Sequence, residues 1–461
     1  MSYVRHVVVL GDHQSGKTTL IAALTGCRKY VGLTEMHEAS CVGEAWGGSL
    51  STVCCDRLLG STLDCRFEKL HNPCYVNDAE GDRKIEVVLI DTPGHPRYAT
   101  NTISGIGIAD AALIVVSAVP EELEQSLGLD SQLVNQVLYA VGFGITRFVV
   151  AVTKIDHPSV ECNSDRFVEV RDTVLHYLGD APAAALISAE QFFPVASLSG
   201  DSRVDRLSAQ LLQMMSYSNA TDHERNQIDD SFIAIGCRTS TIAGERVCVL
   251  KPVFGKLQIP FGATGLRVHL HGCGWTTLFR SGKMQKVFRT YTSMIRSYPR
   301  NVKLCCDSTG DSIECYGDLD FGGPPRGIIV ASPSVDIGQT QRFRAKMRVL
   351  HLPCRALHVG FEAVIHAHTG HWPCRVTALT RLVDGGQGAT GADRTSTSPT
   401  SAVKCVYEND LVVMDFESIS NTSKFFLLYP FADLPALGRV LFRAGSCLIG
   451  FGTVLSVETV H

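Results

Sequence analysis

The sequence predicts an α/β domain built on a mostly parallel sheet, followed by two all-β barrels or sandwiches. Three observations predict it. Over residues 1–220, apolar strand runs alternate with amphipathic helical patterns, the order that lays helices on both faces of a parallel sheet. After Met215 the apolar residues alternate with polar ones. Leu266, Val268 and Leu270 are interleaved with Arg267, His269 and His271, the period of a half-buried strand. Turn glycines then punctuate the chain to its end. The 461 residues fit three domains at about 150 residues each. Their expected bounds are 1–220, 231–336 and 341–461, with a polar linker over 216–230 and a second break near Ser332–Thr340.

The elements follow in order. Strands are expected at Val7–Leu10, Glu86–Ile90, Ala112–Val116, Phe148–Val152 and Ala185–Ser188. A helix opens at Thr19–Leu24. Another, Ser131–Val141, places Leu133, Val134, Val137, Leu138 and Val141 on one face. Asp165–Leu178 does the same with Phe167, Val170, Val174 and Leu178, and Gly179 is placed to cap it. The Gly/Ser/Thr-rich stretch Gly385–Ala402 is expected to be a flexible insertion.

Composition excludes several classes. Hydrophobic residues make up 45% and charged residues 19%, a globular mix and not a disordered one. The 42 Lys and Arg against 46 Asp and Glu give a net charge of −4, which excludes a basic protein that coats nucleic acid. The longest apolar run, around Ala109–Ala118, is far short of the ~20 residues that span a bilayer. The short apolar stretch near the start runs into a glycine turn and reads as a buried strand, not a signal peptide. A cytoplasmic protein with no membrane association is expected. The seventeen cysteines form no CxxC and no zinc-finger spacing. They are expected to be free, mostly buried thiols.

Three motifs carry the chemistry. Gly11-Asp12-His13-Gln14-Ser15-Gly16-Lys17-Thr18, continued by Thr19, fits GxxxxGK[ST] between a strand and a helix. Such a loop turns successive N–H groups toward β- and γ-phosphates at a helix N-terminus. Lys17 adds a point charge and Thr18 a hydroxyl for Mg²⁺. The second motif, Asp91-Thr-Pro-Gly94-His95, follows a strand. It offers Asp91 for a Mg²⁺-bound water, the Gly94 N–H for the γ-phosphate, and His95 to orient the attacking water. The third is Thr153-Lys154-Ile155-Asp156. Here a carboxylate, Asp156, can accept from the guanine N1–H and exocyclic amine, which selects GTP over ATP. The N-terminal domain is thus expected to be a P-loop GTPase domain binding GTP/GDP and Mg²⁺.

With these motifs in place, the sequence resembles the translational GTPases of the elongation factor 1-alpha group, which includes eukaryotic release factor 3 and the rescue GTPase that partners Pelota. DTPGH is similar to the group's D-x-P-G-H. Asp56-Arg-Leu-Leu-Gly60-Ser61-Thr62-Leu-Asp64 resembles its switch I segment, which implies Thr62 as a further Mg²⁺ ligand. Pro194–Asp201, with Ala196 and Ser197, resembles the loop that backs the guanine. His368-Thr-Gly-His371 with Cys374, and Leu437-Gly-Arg439 with Phe442-Arg443, resemble stretches of the group's third domain. His368 and His371 are expected on one strand, facing opposite sides. The resemblance implies a GTPase domain and two barrels that dock a cargo. Ribosome binding then triggers hydrolysis and releases that cargo.

The departures bear on mechanism. Thr153 stands where the group usually has Asn. Gln14 stands for an Asp, and Ala196 for a Ser that Ser197 follows one step late. The polar His13 and Ser61 stand for two apolar residues that fence the catalytic His. From Arg280 to Lys303 there are seven basic residues and no acidic one, with Phe279, Phe288, Tyr291 and Tyr298 among them, a pattern suited to RNA. Arg342, Arg344, Lys346 and Arg348 alternate on one expected strand. The expected partners are the ribosome, a tRNA or tRNA-mimicking protein factor, and a nucleotide-exchange factor, with the chain itself a monomer. Delivery of aminoacyl-tRNA is the leading expectation. Delivery of a release or rescue factor, and a GTP-binding interaction protein with weak hydrolysis, stay open.

Overall fold

The computed structural model describes residues 2–26, 55–56, 61–62, 65–70, 74–78, 81–127, 132–179, 184–197, 202–216, 233–242, 245–254, 266–270, 274–278, 301–306, 312–316, 328–331, 338–382, 399–419 and 426–460. Residues 217–230 of the expected linker and the aromatic-basic stretch up to Arg300 lie outside the described residues, as do 385–398 of the expected insertion, while Ser216, expected to open the linker, instead ends a helix.

The N-terminal strands are β1 (Ser2–Leu10), β2 (Cys55–Asp56), β3 (Ser61–Thr62), β4 (Arg66–Lys69), β5 (Cys74–Asp78), β6 (Gly81–Asp91), β7 (Ala111–Ser117), β8 (Phe148–Thr153) and β9 (Phe192–Pro194). Its helices are α1 (Lys17–Leu24), α2 (Ala99–Ile106), α3 (Pro120–Leu127), α4 (Gln132–Gly142), α5 (Ser164–Leu178) and α6 (Ser202–Ser216). The sheet order is β4-β6-β1-β7-β8-β9, with β5 on β6. From β6 to β9 the pairings are parallel. Every residue of β7 and β8 is buried, as a sheet covered on both faces requires. The period-two pleat sorts β1 between the layers. Val8 and Leu10 join the core under α2–α5, and Val7 and Val9 join the one under α1 and α6.

Ala185–Ser188 is not a strand. Two short 3-10 turns, Ala184–Leu186 and Ala189–Gln191, occupy that region, and the edge strand is Phe192–Pro194. A Ser188/Gln191 capping box fixes the second turn, and Gln191 Nε2 donates to Phe148 O (2.9 Å).

The middle unit comprises β10 (Ile233–Ile242), β11 (Glu245–Phe254), β12 (Leu266–Leu270), β13 (Gly274–Leu278), β14 (Asn301–Cys306), β15 (Ser312–Tyr316) and β16 (Ile328–Ala331). They pair in the order β13-β12-β16-β10-β11-β14-β15. A partly buried ion pair joins this unit to the first. Lys251 Nζ of β11 lies 2.8 Å from Asp110 Oδ1 and donates to Ala109 O (3.1 Å).

The C-terminal unit comprises β17 (Gln339–Val349), β18 (Leu357–His358), β19 (Glu362–Ala367), β20 (Gly370–Leu382), β21 (Pro399–Ala402), β22 (Cys405–Val406), β23 (Leu411–Ser418), β24 (Arg439–Ala444) and β25 (Cys447–Val460). The order β19-β24-β25-β17-β23-β20 closes on itself through β19–β20, an antiparallel barrel. Pro399–Ala402, expected to be flexible, instead forms β21 on the edge of β20. Along β17 the alternation is as read. Phe343, Ala345 and Met347 are buried, while Arg342, Arg344 and Arg348 are exposed and Lys346 is half-buried. Arg342 and Arg344 pair with Glu417 and Asp415 on β23, so half of this basic row is neutralised. His368 is not on a strand. It sits in the β19–β20 turn with φ +40°, and the cross-strand partner of His371 is His366. No cluster of three or more His, Cys, Asp or Glu side chains placed to hold a metal ion occurs among the described residues. Six cysteines are seen to be free: Cys65 and Cys374 are buried, Cys405 and Cys447 half-buried, and Cys162 and Cys354 exposed. No described helix is long and apolar enough to cross a membrane.

Candidate functional site

The site gathers at the C-terminal ends of β1, β6 and β8, where an open parallel sheet binds ligands. The phosphate loop leaves β1 at Gly11 and enters α1 through Gly16, whose φ of +91° favours glycine. Thr19 is half-buried in the first turn of α1. Ser15 and Lys17 are buried, and Asp12 is half-buried. His13 and Gln14 face solvent, Gln14 with φ +64°.

Lys17 Nζ donates to Gly11 O (3.0 Å) and Asp12 O (2.7 Å). Burial pushes the ammonium down to about 8, against the partial support of Asp91 and Asp12. The Thr18 hydroxyl donates to Asp91 Oδ2 (2.8 Å), so two of the expected magnesium ligands converge. Oxygen donors of this kind suit a hard cation such as Mg²⁺. Thr62 lies in β3 opposite Cys55, and the expectation for its side chain falls outside the described residues.

Gly94 presses directly on the loop. A Cβ there would stand 2.5 Å from Lys17 Nζ and 2.7 Å from His13 N, so only glycine brings this backbone so close. Two threonines fix the segment. Thr92 Oγ1 donates to Val9 O (2.6 Å) and Thr102 Oγ1 to Pro93 O (2.8 Å). His95 is half-buried and caps a 3-10 turn, its Nδ1 accepting the Arg97 N–H (3.2 Å). His13 faces it, ring to ring at 6.2 Å. Partial burial, then Lys17 and His95, hold His13 below the ordinary imidazole range, with Asp12 opposing.

The third motif is divided in role. Thr153 is buried, and its hydroxyl donates to Ser15 O (2.7 Å), with Val116 O at 3.2 Å. It ties β8 to the phosphate loop. Lys154, at φ +57°, lies 2.7 Å from both carboxylate oxygens of Glu122. Asp156 is exposed and open to a ligand. Ala196 is buried, and the Ser197 hydroxyl has no hydrogen-bond partner among the described residues.

Sequence reasoning missed Gln136. It is 2% exposed on α4, and its Oε1 accepts the Gly11 N–H (2.7 Å). A glutamine on the apolar face of α4, three residues after Leu133, was the available signal. Gln136→Leu would bury that N–H unpaired, which costs about 1–3 kcal/mol. GDP is expected to dissociate about tenfold faster or more, and Gln136→Glu, which keeps an acceptor, to restore the slow rate, as read by stopped-flow release of fluorescent GDP. The same helix meets the barrel. Gly142 packs against Leu441 and Phe451, and Gly144 against the Arg439 guanidinium.

Comparison with known proteins agrees with this geometry. Residues 2–230 match the elongation factor Tu GTP binding domain, and residues 342–455 the GTP-eEF1A C-terminal domain-like family. The chain is 22% identical to elongation factor 1-alpha of Metallosphaera sedula over 98% of its own length and 97% of the relative's. It is 24% identical to protein HBS1 of Drosophila melanogaster, over 98% of its own length and 63% of that protein's. In fold it is similar to the Ski7 GTPase-like domain of S. cerevisiae, bound to GDP and inorganic phosphate, with a TM-score of 0.61 at 14% identity, covering 98% of this chain and 97% of that one. It is also similar to elongation factor SelB of Methanococcus maripaludis, with a TM-score of 0.57 at 14% identity, covering 100% of this chain and 81% of that one. A phosphate loop, a DTPGH segment seated on it and a closed C-terminal barrel, joined in this order, make the chain a divergent member of the elongation factor 1-alpha-like translational GTPases.

Proposed function

We propose that the chain delivers aminoacyl-tRNA to the ribosome in its GTP-bound form and releases it on hydrolysis. One observation carries the switch. The segment that presses on Lys17 through Gly94 continues into α2, and α2 is seated on the C-terminal barrel, the Ser104 hydroxyl lying 3.0 Å from both Thr369 O of the barrel and Thr100 O of its own helix. A change at the phosphate end therefore has a short covalent path to the barrel.

In this reading Gly11–Thr19 cradle the phosphates. Asp156 accepts from the base, with Thr153, Lys154, Ala196 and Ser197 around it. His95 orients the attacking water. Thr18, Asp91 and Thr62 would hold Mg²⁺, which supplies charge neutralisation between the β- and γ-phosphates. The cytoplasm, a monomeric state and a nucleotide-exchange factor belong to the same reading.

The nucleotide assignment is tested by Asp156→Asn. Losing two hydrogen bonds to a charged acceptor is expected to weaken GTP binding by about 100-fold or more, and XTP, which presents the reversed pattern, to bind in its place. An unchanged GTP affinity would remove the base from this loop. The cargo is tested by capture on the GTP-bound chain, and charged tRNA is the expected partner. The similarity to HBS1 supports a second reading, in which a tRNA-shaped rescue or release factor is captured instead.

A further inference from the structure

The two imidazoles at the phosphate end are chemically complementary. His95 Nδ1 accepts the Arg97 N–H, so in the neutral ring the proton resides on Nε2, an assignment made from the hydrogen-bond network. In that tautomer Nε2 is a donor. His95 can hold a water oxygen, but it has no ring nitrogen left to accept a proton from that water. His13 makes the opposite offer. Its backbone N–H donates to Asp12 Oδ1 (2.7 Å), while no described residue hydrogen-bonds its ring. The ring centres stand 6.2 Å apart with planes at 73°, a separation matched by one intervening water with two hydrogen bonds of about 2.8 Å each.

We infer that His13 is a second catalytic residue, the acceptor for the water whose oxygen His95 holds. The inference rests on the GTPase reading above. The water oxygen bonds to the γ-phosphorus. The bond from that phosphorus to the β–γ bridging oxygen breaks, and its electron pair leaves with GDP. The proton lost by the water passes to His13, which hands it to the product phosphate or to solvent.

The surroundings keep the acceptor available. Lys17 from α1 and His95 from the segment after β6 both oppose a charge on His13, as does partial burial, and only Asp12 of the loop itself favours one. These surroundings favour the neutral ring, and protonation in acid removes the acceptor.

The test is single-turnover GTP hydrolysis by the full chain between about pH 5 and 8, with GTP affinity measured alongside. His13→Val, which keeps the backbone N–H of the loop, is expected to slow hydrolysis by about 100-fold, and the GTP affinity measured alongside separates a lost acceptor from lost binding. The wild-type rate should fall toward acid pH, and that fall should be absent from the variant. His13→Gln, whose amide oxygen accepts, should recover part of the rate. Hydrolysis by His13→Val that matches or exceeds the wild type, or that keeps the same acid fall, overturns the inference while leaving the GTPase reading intact. Loss of GTP affinity in His13→Val also overturns it, since His13 would then act in binding. A wild-type chain that fails to bind GTP would sink the GTPase reading, and this inference with it.

Discussion

Lys17→Met is expected to abolish GTP binding and yet raise the thermal stability of the nucleotide-free chain. The ammonium is 7% exposed and sits among backbone carbonyls, with its pKa pushed down to about 8 from the ordinary 10.5. The unfolded chain therefore binds more protons between those two values, and stability rises with pH across that window. The gap corresponds to roughly 3 kcal/mol, and the penalty is present in full below about pH 8. Methionine fills similar volume without the charge. It leaves the Gly11 and Asp12 carbonyls without the donor they have now, which costs about 1–2 kcal/mol, so a net gain of about 1–2 kcal/mol remains at pH 7. Melting of the wild type should rise from pH 8 to 10, and that of the variant should stay flat. With triphosphate bound the sign reverses, because phosphate supplies the missing counter-charge and only the wild type gains from it. A variant that melts below the wild type at pH 7 would show that the lysine's hydrogen bonds outweigh its desolvation.

That trade-off explains which parts of the molecule were legible in the sequence. The buried strands β1, β7 and β8 announce themselves as unbroken apolar runs, because a parallel sheet covered on both faces admits little else. The phosphate loop is equally plain, since close backbone approach demands glycine at fixed spacing. The error at Ala185–Ser188 was local. Apolar residues suggested a strand, but Ser188-Ala-Glu-Gln191 is a capping-box spacing and favoured a turn. His368 was misplaced for a similar reason, since the Thr-Gly pair after it marks a hairpin. Gln136 on Gly11 and Lys251 on Asp110 are different. They are separated by 125 residues and by 141 in the chain, and no local pattern records which distant group a buried polar side chain will satisfy. Thr153 lies between these cases. Its departure from the usual Asn was visible, but its hydrogen bond to the Ser15 carbonyl required the folded loop.

Gly107→Ala is expected to separate α2 from the barrel without disturbing the nucleotide site. Gly107 follows α2 with φ −59° and ψ −22°, a conformation that any residue adopts, so alanine brings no backbone strain. The obstacle is the partner. A Cβ at 107 would stand 2.0 Å from His368 O and 2.6 Å from His368 C, both backbone atoms of a buried turn that cannot swing aside. The His368–Thr369 turn must move as a piece, and the Ser104–Thr369 hydrogen bond is lost with it. Forced overpacking of this kind costs about 1–3 kcal/mol, enough to shift the docked population by roughly 10- to 100-fold. Ser104→Ala removes the hydroxyl that Thr369 O and Thr100 O share, without overpacking, and should cost about 1 kcal/mol. The second contact, Gly142 with Leu441 and Phe451, stays in place and should keep the barrel tethered. Hydrogen exchange at residues 365–371 should therefore accelerate in Gly107→Ala, and GTP affinity should hold, because no side chain of the phosphate loop has changed. Where α2 is the path between nucleotide and barrel, the variant will bind GTP and fail to alter barrel protection in response. If barrel protection still follows the nucleotide, the signal travels instead through α4, by way of Gln136 and the Leu441 contact.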